Sequence, residues 1–162
     1  MGLRRRSREK TLQILYSMEF NKNQTIKEAV ESYLTYFNIA SMKWSDKSET
    51  QTTGNNNEAS EEESVFITYL LTTVKNNLKE IERLIEEAAI NWRIERIALI
   101  ERNILRMSVA ELIDENNGVP FKATINEAID IAKKFGSKES SSFVNGIINK
   151  VADIIDIKNK KL

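Results

Sequence analysis

The chain has 162 residues, 41% of them hydrophobic and 30% charged, enough for one substantial core or two small ones sharing an interface. Its 24 basic and 24 acidic side chains cancel, so any attraction for a polyanion has to come from local charge, the overall field being weak. The lack of cysteine excludes disulfides and thiolate chemistry, and the lack of histidine removes the commonest general base and metal ligand, which argues against catalysis and against a metal site.

Charge is unevenly placed along the chain: residues 1–22 carry six Lys or Arg against two Glu, whereas residues 41–64 carry two against six. A first helix is predicted over about residues 7–21, with Leu12, Leu15, Tyr16 and Phe20 on one face. Arg4, Arg5, Arg6, Arg8 and Lys10 crowd its start, the positive end of the helix dipole, where each cation is unfavourable by about 0.3–1 kcal/mol at low salt. Two readings stand: a solvated basic tail, or a phosphate clamp in which guanidinium forks match phosphate oxygens. The stretch from Leu12 to Phe20 is too short and interrupted for a signal-peptide core, and no apolar run approaches a membrane span, so the expectation is a cytoplasmic protein.

Thr25 can cap a second helix over about residues 26–39, whose Ile26, Val30, Tyr33, Leu34 and Phe37 face the first. Residues 41–64, SMKWSDKSETQTTGNNNEASEEES, hold too little apolar surface to offset the entropy of ordering, and read as a mobile acidic insert whose Trp44 can dock on a neighbouring bundle. A long connecting helix is predicted from Glu61 to about Glu87, with Val65, Leu70, Leu71, Val74, Leu78, Ile81 and Ile85 inside. Trp92 and Ile94 lead into a helix from about Arg96 to Glu115. Its Ile97, Ile100, Ile104, Leu105, Met107 and Leu112 span an arc wide enough for a central position. Glu101 falls inside that arc and needs a partner, Arg96 or Arg102, unless it belongs to a protein interface.

Asn116-Asn117-Gly118 and the single proline, Pro120, end this helix. Thr124 and Glu127 have the T-x-x-E spacing of a capping box, predicting a helix start there; Ile125, Ala128, Ile129 and Ala132 form its buried face, and Phe135 with a C′ glycine, Gly136, closes it. Ser140, Ser141 and Ser142 offer a cap for a last helix that buries Val144, Ile147, Ile148, Val151 and Ile155. Phe143 lies about 100° from Val144 around that helix, either a surface ring able to stack on an unpaired base or part of the core. Gly146 costs its helix about 1 kcal/mol relative to alanine and suggests close approach of another backbone.

Three blocks of the chain resemble the NusB family of bacterial transcription antitermination factors, in family order. They are RRRSREKTLQILY (Arg4 to Tyr16), ERNILRMSVAEL (Glu101 to Leu112), and INEAIDIAKKFG followed by SSSFVNGIIN (Ile125 to Gly136 and Ser140 to Asn149). The likeness runs from Arg4 to about Val151 and fails at residues 41–64, longer than the connection the family implies. It implies an all-α fold, two small helical bundles packed into a single compact domain. Residues 1–40 would belong to the first bundle, 41–64 would be the insert, and 65–157 would hold the connecting helix and the C-terminal bundle. It implies no enzyme and no cofactor, but a factor that binds boxA, a single-stranded element of ribosomal RNA leader transcripts, together with NusE, a small-subunit ribosomal protein, in the transcription elongation complex.

Carried onto this chain, the resemblance favours the phosphate clamp for Arg4, Arg5, Arg6 and Arg8 and a base contact for Tyr16. It places Phe135, Glu139, Phe143 and Asn145 at the same RNA edge, and Glu101 with Arg102 on the side that faces NusE. The alternatives are a helical protein-binding adaptor without RNA affinity, a basic helix on an anionic membrane, and a stand-alone relative of the RNA-binding front domain of ribosomal RNA cytosine methyltransferases, whose Gly-rich cofactor domain this sequence lacks.

Overall fold

The first helix, α1 (Leu3–Phe20), starts earlier than the sequence pattern predicts because Gly2 caps it in an extended conformation, its carbonyl accepting from the N–H groups of Arg5 and Arg6. The computed structural model describes residues 2–45, 61–90 and 92–160, with the backbone alone for residues 37–45. After α1 come α2 (Ile26–Ser45), α3 (Glu61–Asn76), α4 (Leu78–Ala88), α5 (Leu99–Ile113), α6 (Phe121–Phe135) and α7 (Ser140–Asn159). Short 3-10 turns at Ile94–Arg96 and Glu115–Asn117 bracket α5, and no strand occurs among the described residues. The all-α expectation stands.

The capping chemistry differs from the sequence reading in an instructive way. Thr25 and Glu28 do form a reciprocal box: the Thr25 N–H donates to the Glu28 carboxylate at 2.8 Å and the Glu28 N–H to the Thr25 hydroxyl at 3.2 Å. These bonds, the backbone one foremost, hold the Glu28 carboxyl below its ordinary range. The same spacing at Thr124 and Glu127 forms no cap. Pro120, with φ fixed at −61°, starts α6 one turn earlier, and its carbonyl accepts from Ala123 and Thr124. Thr124 is therefore an interior, buried residue, and Glu127 is free to reach α1.

The predicted long connecting helix is two helices. At Asn77 the backbone leaves helical geometry, with φ −115° and ψ 15°, although its N–H still donates to the Thr73 carbonyl at 3.1 Å and its carbonyl accepts from Ile81 at 2.9 Å; the Asn77 side-chain amide bonds the same Thr73 carbonyl at 2.9 Å. The α5 helix begins at Leu99, three residues after the predicted Arg96, because Ala98 is extended, with ψ 141°. The segment 41–64, expected to be mobile, is helical at both ends. Residues 41–45 complete α2, and residues 61–64 open α3, where Glu61, Glu62 and Glu63 suit the positive end of the helix. Residues 46–60 and the Trp44 side chain lie outside what the structure describes.

Two cores result, and α1 and α3 contribute to both. Ile14, Ala29, Val30, Ile67 and Leu71 form the smaller, between α1, α2 and α3. Leu12, Leu70 and Val74 join side chains of α4, α5, α6 and α7 in the larger. The α5 helix is its centre, buried continuously from Asn103 to Leu112 except at Arg106. All five apolar positions predicted for α7 are buried. The stripe predicted on α1 is rotated, because that helix serves two cores: Leu12 and Ile14 are enclosed, while Tyr16 and Phe20 remain 38% and 68% exposed. Val65 and Leu78 are likewise exposed against expectation.

Two glycines reverse their expected roles. Gly146 has open space around its Cβ position, so no backbone approaches it. Gly136 is extended, with φ −92° and ψ −174°, so it is not required for a left-handed cap. It is required for space: a Cβ there would lie 2.4 Å from the Ser140 Cβ and 2.8 Å from the Ala132 carbonyl. Gly136→Ala should therefore destabilise the protein by about 1–3 kcal/mol, read as a lowered urea midpoint at constant slope. Wild-type stability in that variant would show that the α6–α7 turn opens freely.

Candidate nucleic-acid interface

The arginines of α1 divide into two pairs with different work. Arg8 is buried, and its guanidinium forks onto the Glu111 carboxylate of α5 with two bonds of 2.7 Å. Burial opposes its charge, but the Glu111 bonds and charge outweigh that and raise its pKa. Arg5 forks onto Glu127 of α6 at 3.0 and 2.7 Å and reaches Asp130 at 2.7 Å, and the Glu127 bond raises its pKa too. Arg6 is half exposed, its Nε 3.8 Å from Glu63, and Lys10 lies 3.0 Å from the same carboxylate. Arg4 is exposed, its guanidinium 5.7 Å from the centre of the Phe66 ring, which Arg8 also approaches at 5.5 Å.

The expectation that Arg4, Arg5, Arg6 and Arg8 together clamp phosphate is thus corrected for Arg8, which no solvent-borne phosphate reaches. Arg5 is committed to α6. Arg4 and Arg6 keep the accessible heads that a phosphate contact needs.

The second half of the expected site is the turn between α6 and α7. Phe135, at the end of α6, is half-buried, and the Lys134 amine sits 5.4 Å from the centre of its ring. Lys134 also bonds Glu9 of α1 at 2.7 Å, which brings this turn against α1. Glu139 is exposed at the start of α7, where its carboxylate accepts from the Ser137 hydroxyl at 3.4 Å. Phe143 is half-buried and packs on the larger core, so it lies between its two readings, neither a fully exposed ring nor an enclosed one. Asn145 is exposed, its side-chain oxygen accepting from Asn149 at 2.7 Å. Tyr16 stands apart from this turn in sequence register: its ring tilts against Phe20 at 5.4 Å, about 15 Å along the helix axis from Arg6.

Glu101 finds neither Arg96 nor Arg102. It accepts from the Ser140 hydroxyl at 2.6 Å, and Ser140, itself buried, accepts from the Ser137 N–H at 2.8 Å. The serine that the sequence offers as a cap instead ties the start of α5 to the α6–α7 turn. Arg102 donates to the carbonyls of Glu95 and Ile97 at 3.1 and 2.9 Å, bracing the 3-10 turn before α5.

Sequence reasoning missed Gln13, Tyr33 and Lys134. With Arg6, Glu9, Lys10 and Phe135 they line a groove of about 350 Å³ between α1, α2 and the end of α6. The signal was present, since Arg6, Glu9, Lys10 and Gln13 recur at three- and four-residue spacing on one face of α1. The described residues contain no cluster of acidic side chains able to hold a metal, and no helix among them is long and apolar enough to cross a membrane.

This division of the arginines makes a sharp contrast. Arg8→Ala should lower stability by about 3–5 kcal/mol by leaving Glu111 buried and unpaired, whereas Arg5→Ala, at a largely solvated site, should cost about 1 kcal/mol or less. Chemical denaturation distinguishes the two. Replacing Arg4 and Arg6 together should leave the unfolding midpoint nearly unchanged.

Comparison with known proteins covers most of the region just described. The NusB family model matches residues 5–153. The transcription antitermination protein NusB of Myxococcus xanthus (strain DK1622) is 38% identical over 152 residues, 94% of this chain and 96% of that protein. Among solved structures, T. maritima NusB superposes with a TM-score of 0.71 at 27% identity, over 93% of this chain and 90% of that one. A chain from the crystal structure of the antitermination factors NusB and NusE in complex with dsRNA gives a TM-score of 0.69 at 21% identity, over 95% and 98% of the two chains, a likeness of fold.

Proposed function

Since the chain belongs to the NusB family, we propose that it acts in transcription antitermination by binding boxA-type single-stranded RNA together with NusE, in the cytoplasm and within the transcription elongation complex. The observation that carries this reading is the meeting of α1 with the α6–α7 turn, where cationic side chains border the Phe135 ring inside the matched blocks. Arg4 and Arg6 supply phosphate contacts. Phe135 and Phe143 supply rings on which unpaired bases stack, worth about 1–3 kcal/mol per base, and Tyr16, Glu139 and Asn145 extend the edge. Glu101 and Arg102 belong to the neighbouring NusE-facing surface. No step of this activity is catalytic.

Two partners on adjoining surfaces form one composite RNA site, so NusE should tighten RNA binding and RNA should tighten NusE binding by the same factor, a coupling of roughly 1–3 kcal/mol. The Glu101–Ser140 bond refines what the variants should do. Phe143→Ala should weaken RNA binding and leave NusE affinity in the absence of RNA alone. Glu101→Ala should weaken both, because it also releases the serine that holds the α6–α7 turn. Titration calorimetry on each pair and on the ternary mixture reads all three quantities; competition between RNA and NusE would show that the surfaces overlap and that this assignment is wrong.

Electrostatic binding has its own readout. Removing Arg4 and Arg6 should weaken all single strands alike and reduce the salt slope by about 0.7 for each phosphate those side chains neutralise. An unchanged slope would exclude them from the interface.

A further inference from the structure

The groove between α1, α2 and the end of α6 has a composition unlike a packing defect. Two aromatic rings, Tyr33 and Phe135, line it together with Arg6, Lys10 and Lys134. Against those three cations stand two carboxylates, Glu9, bonded to Lys134 at 2.7 Å, and the buried Glu63, which lies 3.0 Å from Lys10 and 3.8 Å from Arg6. The volume, about 350 Å³, falls in the range of small-ligand pockets, and the mouth is open to solvent.

Its one amide reader is held in a defined orientation. The Tyr33 hydroxyl donates to the side-chain oxygen of Gln13. That bond engages the acceptor end of the amide and leaves its two N–H donors without a protein partner among the described residues. Tyr33 is itself anchored, its ring packed against the smaller core. Gln13 is exposed, so its donors are available to a ligand.

We infer that this groove is a base-reading pocket that takes one unpaired nucleobase of a bound RNA strand, with Gln13 as the reader and Tyr33 as the residue that orients it. The inference rests on the RNA-binding reading above and adds a specificity element on α2, which that reading leaves unused. The rings provide a stacking surface, and Arg6 and Lys134 flank it where the adjoining phosphates pass. With its donors directed at the 4-position of the seated pyrimidine, the amide selects a base that offers an acceptor there. Uracil presents a carbonyl oxygen where cytosine presents an amino donor, so uracil is accepted and cytosine leaves two donors facing each other.

The test uses the full chain and three fluorescein-labelled strands of about twelve units, oligouridine, oligocytidine and an abasic ribose-phosphate strand, read by anisotropy at fixed salt. Oligouridine should bind about five- to tenfold more tightly than oligocytidine, the size expected for one hydrogen bond replaced by an unpaired donor. Gln13→Ala, a change at an exposed position, should bring the two strands within about twofold of each other and leave the abasic strand's affinity unchanged. Tyr33→Phe, which keeps the ring and removes only the hydroxyl, should narrow the same ratio. An unaltered uridine preference in Gln13→Ala, or equal binding of all three strands by the wild type, would overturn the pocket while leaving RNA binding standing. Failure of the wild type to bind any of the strands would overturn the RNA reading, and the pocket with it.

Discussion

The buried pair between Arg8 and Glu111 is the constraint that the remaining contacts accommodate. Both side chains are almost wholly out of water, so neither tolerates the loss of the other, and α1 has one register against α5 in which the fork closes. Once that register is set, Arg5 falls opposite Glu127 and Asp130 of α6, and Glu19, three turns further along α1, falls opposite Arg106 of α5 at 2.5 Å. Arg106 then reaches Glu82 of α4 at 2.6 Å. Four helices are thereby joined by charged contacts, those of α1 to α5 and α6 and one more from α5 to α4. The arrangement resolves the apparent misplacement of cations at a positive helix end: their counter-charges come from α3, α5 and α6, not from α1's own first turn, which has no acidic residue.

The same fact limits how far the sequence could be read. Helices with a full apolar stripe were legible from period alone, as in α7, where every expected core position is enclosed, and in α5, whose wide arc announces its central place. Local motifs were legible only where nothing distant competed. Thr25 with Glu28 and Thr124 with Glu127 have identical spacing, yet one is a cap and the other is not, because Pro120 begins the second helix earlier and Glu127 is drawn to an arginine 122 positions away. A four-residue window contains neither cause. The break at Asn77 was hidden for the opposite reason, since the apolar spacing and the backbone bonds run on through it and only the dihedral angles of one residue depart from the helix.

For the candidate site, residue type was legible and assignment was not. The arginine cluster and the aromatic positions of α6 and α7 stand out as letters. Which guanidinium points inward depends on the position of α5, and that position is tertiary. The spacing puts Gln13 on one face with Arg6, Glu9 and Lys10 and puts Tyr33 on the face of α2 toward α1, but neither residue's type marks it as part of a site. Their meaning comes from α2 crossing α1 at the point where a hydroxyl meets an amide.

The α6–α7 turn shows how the two proposed surfaces could communicate without a moving part of any size. Gly136 has room for no side chain because Ser140 fills the space, and Ser140 in turn bonds both the Ser137 N–H and the Glu101 carboxylate. The turn that carries Phe135 and Glu139 is therefore fastened to the first turn of α5. A protein that docks on Glu101 and strengthens that bond stiffens the turn, and an RNA strand that binds a stiffer turn loses less conformational freedom on binding. Coupling of this kind needs only that both ligands favour the same closed arrangement of one short connection, and it is reciprocal by thermodynamic necessity. With a net charge of zero and half of α1's arginines paired to carboxylates of α5 and α6, long-range attraction contributes little to the encounter with RNA. Affinity then has to come from stacking, from a few phosphate contacts and from the partner, and an RNA-binding protein built this way depends on its partner more than a basic one would.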